Sequence, residues 1–285
     1  MNVSSDQSQS VHEIIEPINR YFHNPIAASI VKILKDTWVT PHQVTYVSVF
    51  IGLIAAYIFS LETTQSFFLA GVLLEMVMIL DCVDGQLARA QKCASDWGRL
   101  LDGIAGYIIY LAVLIGIMTG LGKCYVALVV IGMLTILRAI SYDYCKLTMI
   151  TMIQKGYDGN HKEISDIHLK VSKNNSIILK VYFYYLQLQQ FIFCGHFVSL
   201  DQLDESNSLI YQNNILTAGQ REEYRKKNGL LMTVWSWNGV DLPIFLLVLI
   251  SIFGIMGLFL KPLAYFLALQ FAFTMVYHRM QYSIS

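Results

Sequence analysis

The amino-acid sequence predicts an all-α integral membrane protein, with six transmembrane helices and an N-terminal amphipathic helix lying in the interface. Three observations carry that expectation. Of the 285 residues, 55% are hydrophobic and only 14% charged, with mean hydropathy +0.50; soluble domains carry nearer a quarter charged residues. The apolar residues gather into runs close to the roughly 20 needed to cross hydrocarbon. The basic residues avoid most of the short turns between those runs, as the positive-inside rule requires of external turns.

The elements follow in order. In residues 1–43, the stretch "IIEPINRYFHNPIAASIVKILKDTWVTPH" places Ile14, Ile15, Ile18, Phe22, Ile26, Ile30, Ile33 and Leu34 at helical spacing. That pattern suits a helix lying in the interface, with Lys32 and Lys35 toward headgroups. No cleavable signal peptide is visible in this polar region. Residues 44–143 hold four expected spans: 44–61, without a charge; 66–89, apolar to Leu80 apart from Glu75; 98–120; and 124–143, interrupted by Arg138. The turns "LETTQS" and "GLGKC" join them in pairs. Residues 144–239 form an insert expected on the cytoplasmic side. Its segment 176–198 reads as an interfacial or re-entrant helix rather than a seventh span, and "YDGNHKEISD" (157–166) and "LDESNS…GQREEYRKKNG" (203–229) read as polar linkers. Residues 240–285 supply spans five (242–260) and six (262–278).

Six spans put both termini on one side. Of 20 Lys and Arg residues, only Lys123 and Lys261 fall in turns expected outside, so both termini are expected in the cytoplasm. The five cysteines are scattered, with no C-x-x-C spacing, and suggest neither a disulfide framework nor a zinc site. The basic run at 225–227 lacks interleaved aromatic residues, and no nucleic-acid partner is expected.

The chemistry concentrates in "ILDCVDGQLARA", residues 79–90. Asp81 and Asp84 lie one turn apart, and Asp81, Gly85 and Ala88 share a helical face at i, i+4, i+7. In the expected topology Asp102, at the start of span three, meets them at the same depth. One carboxylate within a span costs about 2.5–3.5 kcal/mol on insertion scales. For any single aspartate, a helix cap or an ion pair with Arg89 would be explanation enough. Three converging carboxylates need a cation, and oxygen donors suit Mg²⁺ or Mn²⁺.

These residues carry a resemblance. The stretch "DCVDGQLARAQKCASDWGRLLDGIAG" resembles the signature of the CDP-alcohol phosphotransferases (CDP-alcohol phosphatidyltransferases), D-x2-D-G-x2-A-R-x8-G-x3-D-x3-D. Asp81, Asp84, Gly85, Ala88, Arg89, Gly98 and Asp102 are in register. The preceding "VTPHQVT" looks like the family's T-P-N-x-x-T entry, with His42 at the Asn position. The resemblance implies transfer of a phosphatidyl or phospho-alcohol group from a CDP-linked donor to a hydroxyl acceptor among membrane lipids, releasing CMP, in phospholipid biosynthesis. It implies Asp81, Asp84 and Asp102 as metal ligands, two divalent ions, and often a homodimer. Gly85 and Ala88 would let nucleotide and phosphates approach the backbone, Arg89 would offer a planar fork to a phosphate or the cytosine carbonyl, and Gly98 would permit close helix approach.

The sequence departs from the signature at its last aspartate, where Gly106 stands. In the family that position is assigned as a metal ligand and as the base taking the hydroxyl proton. The second metal site is therefore expected to be weakened. Replacement bases are Asp96, Glu75, His42 or the acceptor's own phosphate, with Asp96 favoured because it sits near the metal end; Gly106 could also be a packing contact. The alternative reading is a catalytically weak or inactive relative that binds CDP-alcohols or acts as an assembly module. A cation channel or carrier is disfavoured, because the carboxylates cluster at one end rather than along a path. Arg138 and Asp143 are expected either to meet an acceptor phosphate or to pair with each other, and His278 and Arg279 to snorkel.

Overall fold

The computed structural model describes residues 14–122, 125–173, 176–194, 197 and 215–283, apart from the side chains of residues 96, 97, 99, 100, 125, 178, 194, 282 and 283. The described residues are helical throughout their regular structure, and six helical stretches are long and apolar enough to cross a membrane: Pro41–Phe59, Thr64–Ala90, Leu101–Leu121, Val126–Lys155, Ala218–Ile252 and Met256–Gln281. The chain divides into two compact units, one of residues 16–136 and 240–273, the other of residues 1–15, 137–239 and 274–285.

In the first unit a π-turn, Asn19–His23, leads into α1 (Asn24–Leu34). Helix α2 (Pro41–Phe59) begins at a reciprocal cap: the Gln43 N–H donates to the Thr40 hydroxyl and the Thr40 N–H to the Gln43 side chain. Pro41 fits its first turn, where a missing N–H costs nothing. Helix α3 (Thr64–Ala90) starts the same way, from Thr63 and Ser66. Helix α4 (Asp96–Leu121) is capped by Ser95, whose hydroxyl accepts from the Gly98 N–H, and stops at Gly122 in the left-handed conformation (φ +58°). The first part of α5 (Tyr125–Lys155) completes this half of the unit.

Helix α2 packs on α3 and α4, and α3 also packs on α1 and on α9 (Asp241–Ile252). The α2–α4 crossing is close because two glycines allow it: a Cβ at Gly116 would lie 2.1 Å from the Ala56 carbonyl oxygen, and one at Gly120 1.9 Å from that of Phe59. Small residues at such crossings let backbones gain dispersion contacts, the main attraction between helices in lipid. Phe59, Leu74, Ile117, Leu128, Leu247 and Leu267 fill the core. Tyr57, Leu111, Met133 and Leu269 remain exposed, as lipid-facing positions should.

The second unit holds the rest of α5, α6 (Gly159–Lys173), α7 (Ile177–Cys194), α8 (Ala218–Ser236) and the end of α10 (Met256–Ser283). Here the sequence reading needs correction. Of the two expected polar linkers, 159–166 lies in α6 and 219–229 in α8, while 203–214 lies outside the described residues. Helix α8 starts on a Thr217–Gln220 capping box and carries Glu222–Arg225 and Glu222–Lys226 pairs at 3.6 and 3.9 Å, local supports that hydropathy does not register. Helix α5 runs unbroken to Lys155 rather than ending near 143. The last reversal falls at 253–255, where Gly254 has φ +68°, and not at Lys261–Pro262, which lie inside α10. Nor does His278 snorkel. It accepts a hydrogen bond from the Trp235 indole N–H (3.1 Å) and, with Tyr144, Asp158, His161 and Arg279, lines a cavity of about 380 Å³.

Candidate active site

Within the first unit, the end of α3 and the starts of α2 and α4 supply the candidate side chains. The short link 91–95 returns the chain from Ala90 to Asp96, bringing the last turns of α3 beside the first turns of α4. The carboxyl groups of Asp81 and Asp102, one from each helix, are hydrogen-bonded to each other. Two carboxylates at contact distance repel unless a proton or a cation is shared between them.

Asp84 lies within electrostatic reach of both but is turned toward α2. It is 4% exposed, and its Oδ2 accepts from the Thr45 hydroxyl at 2.6 Å while the Gly85 N–H also donates to the carboxyl. The Thr45 hydroxyl has one hydrogen and two nearby acceptors, since the Pro41 carbonyl is 3.2 Å away. The 2.6 Å contact to the carboxylate is the stronger claim on it.

Arg89 folds back along α3. Its Nη1 would be 3.6 Å from a Cβ at Gly85, and it attracts Asp84 electrostatically. Gly85 and Ala88 are half-buried and add almost no side chain, so backbone and guanidinium line one face together. Gly98 is approached by Ser95 Oγ and by His42 Cε1, 3.3 and 3.6 Å from its Cβ position. His42 thus reaches the entrance to α4. Gly106 is exposed, and a Cβ there meets nothing within 4 Å. Among the described residues it makes no packing contact, and a Cβ could be added there without displacing any of them. Asp96 opens α4, with its side chain outside the described set. Glu75 faces a different partner, His23, at 2.9 Å.

Oxygen donors of this kind suit a hard divalent cation. Among the described residues no group of three or more His, Cys, Asp or Glu side chains is placed to hold a metal ion. Mg²⁺ is commonly held by one or two carboxylates with substrate phosphates completing its octahedron. The touching pair Asp81 and Asp102, with Asp84 beside it, fits that mode.

Sequence reasoning passed over several residues. Thr45 stood in the quoted "VTPHQVT", one turn past Pro41, and its spacing could have marked it as facing the site. Asp241, 4% exposed in the first turn of α9, acts electrostatically on Asp81; no local spacing signals that. Arg138 and Asp143 lie in the second unit. Arg138 is fully buried, donating to the Trp237 carbonyl at 2.7 Å, and Asp143 is exposed.

Comparison with known proteins gives two kinds of likeness. The sequence model of the CDP-alcohol phosphatidyltransferase family matches residues 38–199. A protein of Thermococcus kodakarensis named bifunctional IPC transferase and DIPP synthase is 38% identical over 87 residues, covering 30% of this chain and 19% of that one. The archaetidylinositol phosphate synthase of Pyrococcus horikoshii is 37% identical over 89 residues, covering 31% of this chain and 46% of its own. The matched stretch spans less than half the length of either relative.

Proposed function

Because this chain belongs to the CDP-alcohol phosphatidyltransferase family, we propose that it moves a phosphatidyl or phospho-alcohol group from a CDP-linked donor to a hydroxyl acceptor, releasing CMP, in phospholipid biosynthesis. The observation that carries this reading is the contact of the Asp81 and Asp102 carboxyl groups, from two helices, with Asp84 anchored alongside. Asp81 and Asp102, with Asp84 beside them, would hold Mg²⁺ or Mn²⁺, which when bound neutralises charge on the diphosphate oxygens. In the reaction the acceptor oxygen bonds to the phosphorus nearest the donor's lipid or alcohol group. The bond from that phosphorus to the CMP oxygen breaks, and the hydroxyl proton passes to a base. Arg89 binds a phosphate or the cytosine carbonyl through its planar fork. Gly85 and Ala88 leave room for the nucleotide, and Gly98 keeps the entrance to α4 narrow.

Gly106 removes the family's base, a loss typically worth about 10²–10⁴ in rate. We propose that the acceptor supplies the base itself. The Pyrococcus relative is named an archaetidylinositol phosphate synthase, and a phosphorylated inositol fits here, since a phosphate monoester with its second pKa near 6 is mostly dianionic at neutral pH and serves as the acceptor of the hydroxyl proton. Asp96 is the second candidate. The absent carboxylate equally supports the alternative of a weak or inactive relative that binds CDP-alcohols, with its second metal site weakened.

CMP release from protein in nanodiscs tests these readings, with CDP-diacylglycerol-type and CDP-choline-type donors and with inositol or inositol phosphate as acceptor. Turnover is expected only with the phosphorylated acceptor, and Gly106→Asp should rescue the plain alcohol. Tight CDP-alcohol binding with no CMP release from any pair favours the alternative. Unchanged activity and metal binding in Asp81→Ala and Asp102→Ala removes the site assignment altogether.

The distribution of Lys and Arg further supports cytoplasmic termini, with the aspartates near the cytoplasmic face and α1 in the interface; protease access to terminal tags in sealed vesicles checks this. A homodimer is proposed from the family resemblance alone, to be checked by the mass of the nanodisc complex.

A further inference from the structure

Helix α3 presents two polar faces. Asp81, Gly85 and Ala88 lie on one. Glu75, Cys82 and Gln86 lie on another, at i, i+7 and i+11, about a third of a turn round at 3.6 residues per turn. Each residue of the second face meets the π-turn or the first residue of α1. Glu75 Oε1 is 2.9 Å from Nε2 of His23. The Cys82 thiol donates to Asn19 Oδ1 at 3.3 Å. The Gln86 amide donates to the side chain and carbonyl of Asn24, at 2.9 and 3.2 Å. At the far end, the Asp241 N–H donates to Glu16 Oε2 at 2.9 Å, tying the chain before the π-turn to α9.

His23 is fully buried, edge-on to Phe245 and beside Phe22, so its contacts are made out of water. Its Nδ1 lies 2.8 Å from Asn19 Oδ1. An amide oxygen only accepts, so Nδ1 carries a hydrogen. Asn19 and His23 open and close the π-turn, an irregularity often found at functional positions.

The apolar contacts of α3 with α1 and α2, made by Val83 and Leu87 against Ala27, Val31 and Val44, resist separation but resist rotation weakly, because such contacts are non-directional. Hydrogen bonds in a low-dielectric surround are directional and strong. A roll of only 5° about α3 moves an atom at a radius of about 5 Å by roughly 0.5 Å, and metal–ligand distances tolerate about 0.2 Å.

We propose that residues 16–24 form a clasp that sets the roll of α3, with His23, Asn19, Glu75 and Cys82 as positioning residues that aim Asp81 at Asp102 and Asp84 at Thr45. The proposal rests on the metal-dependent reading above. The clasp residues act on the carboxylates only through the roll of α3; loss of supports that orient metal ligands typically costs 10–100-fold in metal affinity.

The test is Mn²⁺ affinity by electron paramagnetic resonance on the full chain in nanodiscs, with thermal unfolding measured in parallel. His23→Gln should weaken Mn²⁺ binding 10–100-fold, and Cys82→Ala should weaken it in the same direction. Cys82→Ser, which keeps a donor toward Asn19, should restore affinity. Ser251→Ala, which removes the hydroxyl bonded to the Phe67 carbonyl at the other end of α3, should lower stability while leaving Mn²⁺ affinity unchanged. Wild-type protein that binds no Mn²⁺ sinks the metal reading and the clasp with it. Wild-type binding that is matched by folded His23→Gln and Cys82→Ala sinks the clasp alone. If His23→Gln does not fold, the alanine and serine variants of Cys82 decide.

Discussion

Replacing Thr45 by valine removes one hydroxyl and keeps the shape. In the wild type that hydroxyl donates at 2.6 Å to a carboxylate that is 4% exposed, so water cannot readily substitute when it is lost. Hydrogen bonds to charged groups contribute about 1.5–3 kcal/mol, and 1.36 kcal/mol is tenfold in an equilibrium constant. If Asp84 serves in its anchored orientation, Thr45→Val should weaken divalent-ion affinity by about 10- to 150-fold. The lower end applies if the Gly85 N–H, which also donates to Asp84, holds the carboxylate in place by itself. Thr45→Ser restores the donor and should recover most of the loss. The assay is CMP release titrated with Mg²⁺, together with Mn²⁺ binding in the absence of donor. A Thr45→Val protein whose Mg²⁺ requirement and Mn²⁺ affinity match the wild type would show that Asp84 needs no anchor, and the account of its orientation would be wrong.

Gly120→Ala forces a Cβ to within 1.9 Å of the Phe59 carbonyl oxygen, so α2 and α4 must part. Overpacking of this kind costs about 1–3 kcal/mol, visible as a lowered unfolding temperature in detergent. Gly103→Ala, whose Cβ meets nothing within 4 Å, should be neutral or stabilising by up to about 1 kcal/mol, the helix-propensity difference. Arg89→Lys keeps the charge but loses the fork, and should raise the KM for the CDP-linked donor more than it lowers kcat. Chelation with EDTA should stop CMP release, and Mg²⁺ or Mn²⁺, but not Na⁺, should restore it.

The helical class and the six membrane-crossing stretches were legible in the sequence because the length and hydropathy of a span are local properties. The motif aspartates were legible for a related reason: one helix and one short link join Asp81 to Asp102, so spacing alone nearly fixes that they meet. Where hydropathy is silent, the reading failed. Helix α8 is made by a capping box and charge pairs in a polar stretch, and the last reversal is set by Gly254 rather than by the more conspicuous Pro262. Only the tertiary structure decided what lies far apart in the chain: Thr45 against Asp84, His23 against Glu75, Asp241 within reach of Asp81, and open space around Gly106. Such pairings depend on how each helix is rotated and on what stands opposite. Period and composition cannot encode this, because every residue on one helical face presents the same pattern whichever neighbour it meets.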